Sequence, residues 1–358
     1  MVTTTTHQPT STVSSSAMAS CTTAVPDKYG HVPVDACNSN YFFDPSFAAN
    51  LAFCVLFGMT TLAHITQAII FKKRFCWVVI MGAVWETIGF TFKTMGSRAQ
   101  QNFQYLLWGQ LFFLLAPLWL NAFVYMAVAR MIYFRMPDRK LLGIRAIRMT
   151  VIFVWIDVIL FLVQGGGGSM LSNDGDGDAN IIRIGQKIYM AGVGVQLGII
   201  VIFSGLTAFF YYKLREIEGR DIGRMKWLIL TMLLVLILII IRIVYRLVEF
   251  GPGVDENNKL LTHEGYPLGL DAFPILFALV LLNVMHPGFV LRGPDSEFPH
   301  LSRKEKKALK QQKKREKEQK KREKEQKKAA KKARKEGSYE LENGFIDEDR
   351  SNSGRELL

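Results

Sequence analysis

The sequence predicts an all-α membrane protein with seven transmembrane helices. Crossing a hydrocarbon core of about 30 Å takes about 20 helical residues, and seven apolar stretches meet or nearly meet that length. The backbone finds no hydrogen-bond partner in hydrocarbon, so such stretches become helices. The loops between them also alternate in charge, as expected of a chain that crosses a membrane repeatedly. The stretches are Phe47–Phe71, Phe75–Phe92, Leu106–Ala129, Met149–Gly168, Ile188–Tyr212, Trp227–Val248 and Leu268–Leu291.

The charge of the loops predicts the orientation. The first, third and fifth loops together carry 14 Lys and Arg residues, whereas the three loops on the other side carry five. The positive-inside rule places the basic loops in the cytoplasm. The N-terminus is then outside and the C-terminus is cytoplasmic, which requires an odd number of spans.

Three regions follow from this pattern. Residues 1–45 form a Ser/Thr-rich extracytoplasmic segment, residues 46–292 form the seven-helix domain, and residues 293–358 form a charged cytoplasmic tail. Cys21 and Cys37 both lie in the first region, where an oxidising compartment would allow a disulfide. The sequence leaves a disulfide and two free thiols equally open.

The tail accounts for the basic character of the chain. The net charge is +13, and residues 303–335 carry 19 Lys and Arg against five Glu. The motif KKREKEQ begins at Lys313 and again at Lys320, without the apolar pair that a coiled coil requires. We expect a solvated charged helix. It either binds anionic lipids of the cytoplasmic leaflet or only supports the topology. Because the basicity belongs to one tail, nucleic acid is not an expected partner.

Glycines mark two further features. The run Gly165–Gly168 predicts a flexible exit from the fourth stretch, with close helix packing as the alternative. Gly194 and Gly198 have GxxxG spacing in the fifth stretch, and such residues let helices approach closely. We expect this pair to pack within the bundle rather than to form a dimer.

Ionisable residues inside the spans point to function. Each costs at least about 2.5–3.5 kcal/mol at a helix centre. They either form a buried ion network that only supports helix packing, or they line a polar groove for a lipid head group. Because they outnumber what packing requires, we favour the groove. They are His64, Glu86, Asp157, Arg242, Arg246 and Asp271, with Glu249 at the end of its span.

The sequence argues against several other classes. It contains no G-x-x-x-x-G-K-[ST] phosphate loop, so the chain by itself is not an ATP pump. Of its six His, only His64 and His286 lie within the spans, whereas a zinc hydrolase needs three or four close ligands. We therefore predict no enzymatic activity, no metal and no cofactor.

Several segments in order resemble one family. They include WETIGF (85–90), AGVGVQLG (191–198), IIIRIVYRLVEFGPG (239–253) and GYPLGLDAFPILFALVLLNVMHPG (265–288). Together these are similar to the fungal RTA-like lipid-translocating exporter family, which includes sphingoid-base exporters and aminocholesterol-resistance proteins. The resemblance covers about residues 29–288. Phe90 and Lys93 depart from the Tyr and Arg that are usual in the family.

The resemblance implies seven spans, an outside N-terminus and a plasma or vacuolar membrane. It also implies movement of amphiphilic lipids toward the outer leaflet and resistance to toxic lipids. The family's recurrent polar positions correspond here to Glu86, Asp157, Gln164, Gln196, Arg242, Tyr245, Arg246, Glu249 and Asp271.

Our hypothesis is therefore a transporter of sphingoid bases, phospholipids or sterol derivatives, most simply at the plasma membrane. The lipid tail stays among apolar helix faces while the head crosses along the polar residues. A cationic amine pairs with Glu86, Asp157 or Asp271, and the arginines hold a phosphate or neutralise the acids. The alternative is a seven-helix receptor-like sensor of lipid stress, since the topology is also typical of receptors.

Overall fold

Within the described residues, seven helices are long and apolar enough to cross a membrane, which confirms the predicted fold class. The computed structural model describes residues 23–34, 36, 39–171, 179–219, 222–252 and 258–291, and ten residues between 311 and 326. The first six spans contain α1 (Phe47–Phe71), α2 (Trp77–Gly96), α3 (Phe103–Arg135), α4 (Ala146–Leu171), α5 (Ala179–Glu218) and α6 (Arg224–Phe250). A single turn, α7 (Lys259–Thr262), precedes the seventh span, Pro267–Phe289, which contains a π-helical segment (Pro267–Ala272) and α8 (Phe273–Val284).

Several predictions fall outside the described residues. Cys21 and Cys37 are among them, as are six of the 14 positions of the KKREKEQ repeat. The described residues between 311 and 326 are helical and exposed. The orientation of the termini and the three region boundaries stay predictions.

Local signals explain how the elements begin and end. The Ser46 side chain accepts a hydrogen bond from the Ala49 amide and caps the start of α1. Lys72 ends α1 in the left-handed conformation, with φ 52°, and donates its amide to the Ala68 carbonyl. Between α3 and α4, β1 (Lys140–Leu141) and β2 (Ile144–Arg145) form a two-stranded hairpin.

Glycines bring α2 and α3 into close contact. A Cβ atom on Gly89 would lie 3.1 Å from the Phe113 amide nitrogen, and one on Gly82 would lie 3.2 Å from Trp119 Cβ. The two backbones therefore approach closely because side chains are absent at these positions. As a result, the fully buried Phe113 ring lies beside the inward face of α2.

The flexible exit predicted at Gly165–Gly168 is wrong. These residues continue α4, which ends at Leu171. A Cβ atom on Gly167 would lie 2.7 Å from the Tyr189 amide nitrogen and 2.8 Å from the Gly185 carbonyl oxygen. Gly167 thus allows α4 and α5 to pack backbone to backbone, which was the alternative.

The predicted intramolecular packing of Gly194 and Gly198 is also wrong. In the described part of the chain, no atom comes within 4 Å of a Cβ placed on either residue. Gly192 instead faces α4, because its Cβ would lie 2.8 Å from Gln164 Cγ. Two residues turn a helix by about 200°, so Gly194 points away from the contact that Gly192 makes.

Candidate functional site

One face of α6 carries four buried polar side chains. Positions i, i+3, i+4 and i+7 recur on the same side of a helix. Each of the four is at most 8% exposed, although the helix is otherwise strongly apolar. They are Arg242, Tyr245, Arg246 and Glu249.

Asp271 joins this face to the seventh span. Its fully buried carboxylate forms ion pairs with Arg242 Nε through Oδ1 and with Arg246 Nη2 through Oδ2. Asp271 lies in the π-helical segment, and such segments are frequent at functional sites. One carboxylate therefore contacts two guanidinium groups within the bundle.

Glu249 occupies the end of the same cluster. Its Oε2 accepts a hydrogen bond from Arg246 Nη1 at 3.1 Å, and its Oε1 accepts one from the Tyr245 hydroxyl at 2.9 Å. The Asn258 side chain also donates to the Glu249 backbone carbonyl at 2.7 Å. Both side-chain oxygens of Glu249 are therefore hydrogen-bonded.

Glu86 on α2 differs from the other two acids. It is 0% exposed, and neither carboxylate oxygen has a hydrogen-bond partner within the described residues. Arg242, Lys93 and Arg246 are close enough to attract its carboxylate electrostatically. Within the described residues, Glu86 is the carboxylate of this group that forms neither a hydrogen bond nor an ion pair.

Lys93 is a member of the cluster that our sequence analysis assigned to a loop. Its Nζ lies 3.7 Å from the centre of the Phe113 ring, which Arg242 Cζ and Arg246 Cζ approach at 5.8 and 5.6 Å. These distances allow cation–π attraction. The signal was its spacing, because Lys93 follows Glu86 by seven residues and shares its helix face.

We call these residues the ion cluster: Glu86, Lys93, Arg242, Tyr245, Arg246, Glu249 and Asp271. Its three basic and three acidic side chains balance formally. The ion pairs of Asp271 join α6 to the seventh span and therefore support helix packing, as the interpretation of a buried ion network predicts. Among the described residues, Glu86 nevertheless has no hydrogen-bond or ion-pair partner, which ion pairing for packing alone does not explain.

Asp157 lies in a separate polar group between α3 and α4. Its Oδ2 accepts hydrogen bonds from the Tyr125 hydroxyl at 2.9 Å and from Asn121 Nδ2 at 3.1 Å. Its Oδ1 is buried and has no hydrogen bond in the described residues. Sequence reasoning missed Tyr125, because a tyrosine in an apolar helix resembles an ordinary core residue.

Gln164 and Gln196 form a third group between α4 and α5. Gln164 Nε2 donates to Gln196 Oε1 at 2.9 Å. The described contacts therefore assign the nine predicted positions to three groups: six in the ion cluster, Asp157 beside α3, and this glutamine pair. Across the described residues, no set of three or more His, Cys, Asp or Glu side chains is arranged to hold a metal.

Glu264, which lies outside the spans, makes a polar contact that ties the two ends of the helical domain together. Glu264 accepts hydrogen bonds from the Ser46 amide at 2.8 Å and from Asn50 Nδ2 at 2.6 Å. Burial raises the pKa of Glu264 above its ordinary value, and these two hydrogen bonds oppose the rise. The contact joins the start of α1 to the segment that precedes the seventh span.

Comparison with known proteins adds a family. The family model described as RTA1 like protein matches residues 79–294. The Probable lipid transporter atnI of Emericella nidulans is 42% identical over 307 residues, which cover 83% of this chain and 80% of that protein. The Sphingoid long-chain base transporter RSB1 of Saccharomyces cerevisiae is 24% identical over 302 residues, which cover 74% of this chain and 78% of that protein.

Protoporphyrin uptake protein 1 of Saccharomyces cerevisiae is a further relative. It is 27% identical over 211 residues, which cover 57% of this chain and 65% of that protein. No solved structure matches the chain.

Proposed function

Because the chain belongs to the RTA1-like family, we propose that it is an integral membrane lipid transporter. It moves amphiphiles such as sphingoid bases, phospholipids or sterol derivatives toward the outer leaflet. This activity contributes to resistance to toxic lipids, and its site is the plasma membrane. The names of the relatives support lipid transport.

The carboxylate of Glu86 is the observation that carries this proposal. Burying a charge without direct hydrogen bonds is unfavourable, so such groups are retained where they serve a function. Asp271 and Glu249 already contact arginines, whereas Glu86 lies near the same arginines and both of its oxygens are unpaired within the described residues. A cationic amine that reaches Glu86 would gain an ion pair and hydrogen bonds.

The arginines suit the same head-group region. Because Arg242 and Arg246 are held by Asp271, they offset the negative charge of the cluster while the lipid is absent. A substrate amine adds one positive charge beside Glu86, and a substrate phosphate instead competes with Asp271 for the guanidinium groups. The same cluster is therefore suited to amines and phosphates.

The test is transport by the purified chain alone. The protein is reconstituted in phosphatidylcholine vesicles, and the passage of a fluorescent sphingoid base between leaflets is followed. We expect flux above protein-free vesicles and a loss of at least about 10-fold in Glu86→Gln, which removes one ion pair and its hydrogen bonds.

Glu216→Gln is the matched control, because it makes the same chemical change at an exposed residue of α5. Its flux should equal that of the native chain. A folded native protein that binds the base but moves none of it would contradict transport and would favour the receptor-like alternative. Unchanged flux in folded Glu86→Gln would remove Glu86 from the mechanism.

A further inference from the structure

A second set of buried polar groups lies between α1 and the seventh span. Asp271 and His286 are 15 positions apart, which is roughly 22 Å along a helix, so this set lies toward the opposite end of the span from the ion cluster. His64 and Gln67 contribute from α1, and Asn283 and His286 contribute from the seventh span. We call these four residues the seam.

Both amide side chains of the seam use their NH2 groups to tie the two helices together. Gln67 Nε2 donates to the Asn283 backbone carbonyl at 2.8 Å, and Asn283 Nδ2 donates to the Thr60 carbonyl at 3.4 Å. A backbone carbonyl only accepts hydrogen bonds, so this defines the orientation of each amide. The amide oxygens, Oε1 and Oδ1, remain buried without a hydrogen bond in the described structure.

His286 supplies an unpaired donor. Its Nδ1 accepts a hydrogen bond from the Gly288 amide at 3.0 Å. In a neutral imidazole the proton is then on Nε2, which is buried and has no hydrogen-bond partner among the described residues. The ring is 0% exposed and stacks on Phe71 with ring centres 5.0 Å apart.

His64 supplies an unpaired acceptor. It is 1% exposed. Neither ring nitrogen meets the geometry of a hydrogen bond in the described part of the chain. A neutral imidazole has one protonated nitrogen and one acceptor nitrogen, so His64 supplies an acceptor and also an N–H donor.

Among the described residues, the seam therefore presents three unpaired acceptors and two unpaired donors without a formal charge. The acceptors are Gln67 Oε1, Asn283 Oδ1 and one nitrogen of His64, and the donors are His286 Nε2 and the other nitrogen of His64. Buried polar atoms are nearly always hydrogen-bonded, so several unpaired atoms on two helices in contact indicate a partner that is polar and small.

We propose that the seam binds the head group of an amphiphilic amine that carries a neighbouring hydroxyl. A primary ammonium has three N–H donors for the three acceptors, and the hydroxyl oxygen accepts from His286 Nε2. This inference rests on the proposed lipid transport, and it gives the substrate a second binding site toward the other end of the bundle.

The surroundings of the seam allow the lipid tail to stay in the membrane. Ile65 and Ile69 on α1 are 36% and 69% exposed, and Val284 on α8 is 72% exposed. The polar atoms are thus buried within one helical turn of side chains that face outward. A lipid can approach between α1 and α8 with its head at the seam and its tail outside.

The test measures how strongly the purified full chain binds three C18 lipids in phosphatidylcholine nanodiscs. The first is a 2-amino-1,3-diol, the second its N-acetyl derivative, and the third octadecylamine, which has no hydroxyl. The native chain should bind the amino diol about 10-fold more tightly than either comparison lipid.

Two variants assign these preferences to the seam. Gln67→Met removes an acceptor and should reduce the preference for the amine over its N-acetyl derivative to about threefold or less. His286→Asn keeps an acceptor for the Gly288 amide but removes the Nε2 donor, so it should reduce the preference over octadecylamine similarly. Thr66→Val is the control, because its exposed hydroxyl bonds only to the Leu62 carbonyl within α1.

Each preference is a ratio measured on one preparation, so the folded fraction cancels. Should Gln67→Met fail to fold, Asn283→Leu tests the same acceptors. Equal binding of all three lipids by the native chain would overturn the proposal, as would unchanged ratios in both variants; the seam then holds only water. If those results accompany normal transport, the seam proposal alone fails, whereas absent transport of every lipid contradicts the proposed function.

Discussion

Asp271 and Arg242 form an ion pair that crosses from the seventh span to α6 inside the bundle. The carboxylate is fully buried, and Arg242 is 8% exposed. Since Asp271 also contacts Arg246, it is the one acid in the ion cluster shared by both arginines among the described ion pairs.

Replacing Asp271 with Asn should strongly destabilise the protein. Two buried guanidinium groups lose their shared carboxylate, and breaking a buried pair in this way costs about 3–5 kcal/mol. The measurement is thermal unfolding of the purified protein in detergent. Glu218→Gln is the comparison, because it breaks the more exposed pair with Arg135 and should cost about 0–1 kcal/mol. Equal effects of the two changes would contradict this prediction.

Tyr125→Phe should destabilise the contact between α3 and α4. The change removes the hydrogen bond to Asp157 Oδ2, and a hydrogen bond to a charged group contributes about 1.5–3 kcal/mol. Unfolding of the variant should begin at a lower temperature. Tyr212→Phe makes the same change on a 68% exposed side chain and should unfold like the native protein. An unaltered unfolding temperature in Tyr125→Phe would show that Asp157 does not depend on this donor.

Two neighbouring glycines of α4 should respond in opposite ways. Gly167→Ala places a Cβ within 2.8 Å of α5 backbone atoms, and overpacking of this kind costs about 1–3 kcal/mol. Gly166→Ala meets no atom within 4 Å and should stabilise α4 by up to about 1 kcal/mol through helix propensity. Unfolding temperatures of both variants provide the test, and a stable Gly167→Ala would argue against the close approach of α4 and α5.

Glu264 should make stability depend on pH. Burial raises its pKa in the folded protein above the ordinary value of 4.5, so folding disfavours the ionised form. The stability of the native chain relative to Glu264→Gln should therefore decrease as pH rises from 4.5 through the folded pKa. The difference in unfolding temperature between the two proteins is measured across this interval. An increase of this difference with pH would contradict the raised pKa of Glu264. For the control Glu216→Gln, at an exposed site, the difference in unfolding temperature from the native chain should show little pH dependence.

The sequence predicted α1 with the correct residues, and it predicted all seven spans. This succeeded because a span is defined by its length and by the apolar character of consecutive residues, which are local properties. Helix ends were less accurate. The fifth span, for example, was predicted to begin at Ile188, whereas α5 begins at Ala179. Polar residues at helix ends lie outside the apolar stretch but continue the same backbone hydrogen bonding.

The sequence also indicated which polar residues would be buried, but not their partners. Arg242, Arg246, Glu249 and Asp271 do lie together, because three of them share a helix face and the fourth has the opposite charge. Lys93 was missed because it lies just beyond the apolar stretch of its span. The separation of Asp157 from the ion cluster depends on helix rotation, which hydropathy does not determine.

The sequence by itself determined that this chain is a seven-helix membrane protein with costly ionisable groups in its spans. These facts follow from transfer of individual residues from water to hydrocarbon, which depends on residue type alone. Only the tertiary structure decided that Gly167 contacts α5 and that, within the part of the chain described, Glu86 and the seam have atoms without a hydrogen-bond partner. These depend on how helices rotate and approach one another, because a hydrogen bond or a close contact requires two side chains or backbones to meet in space.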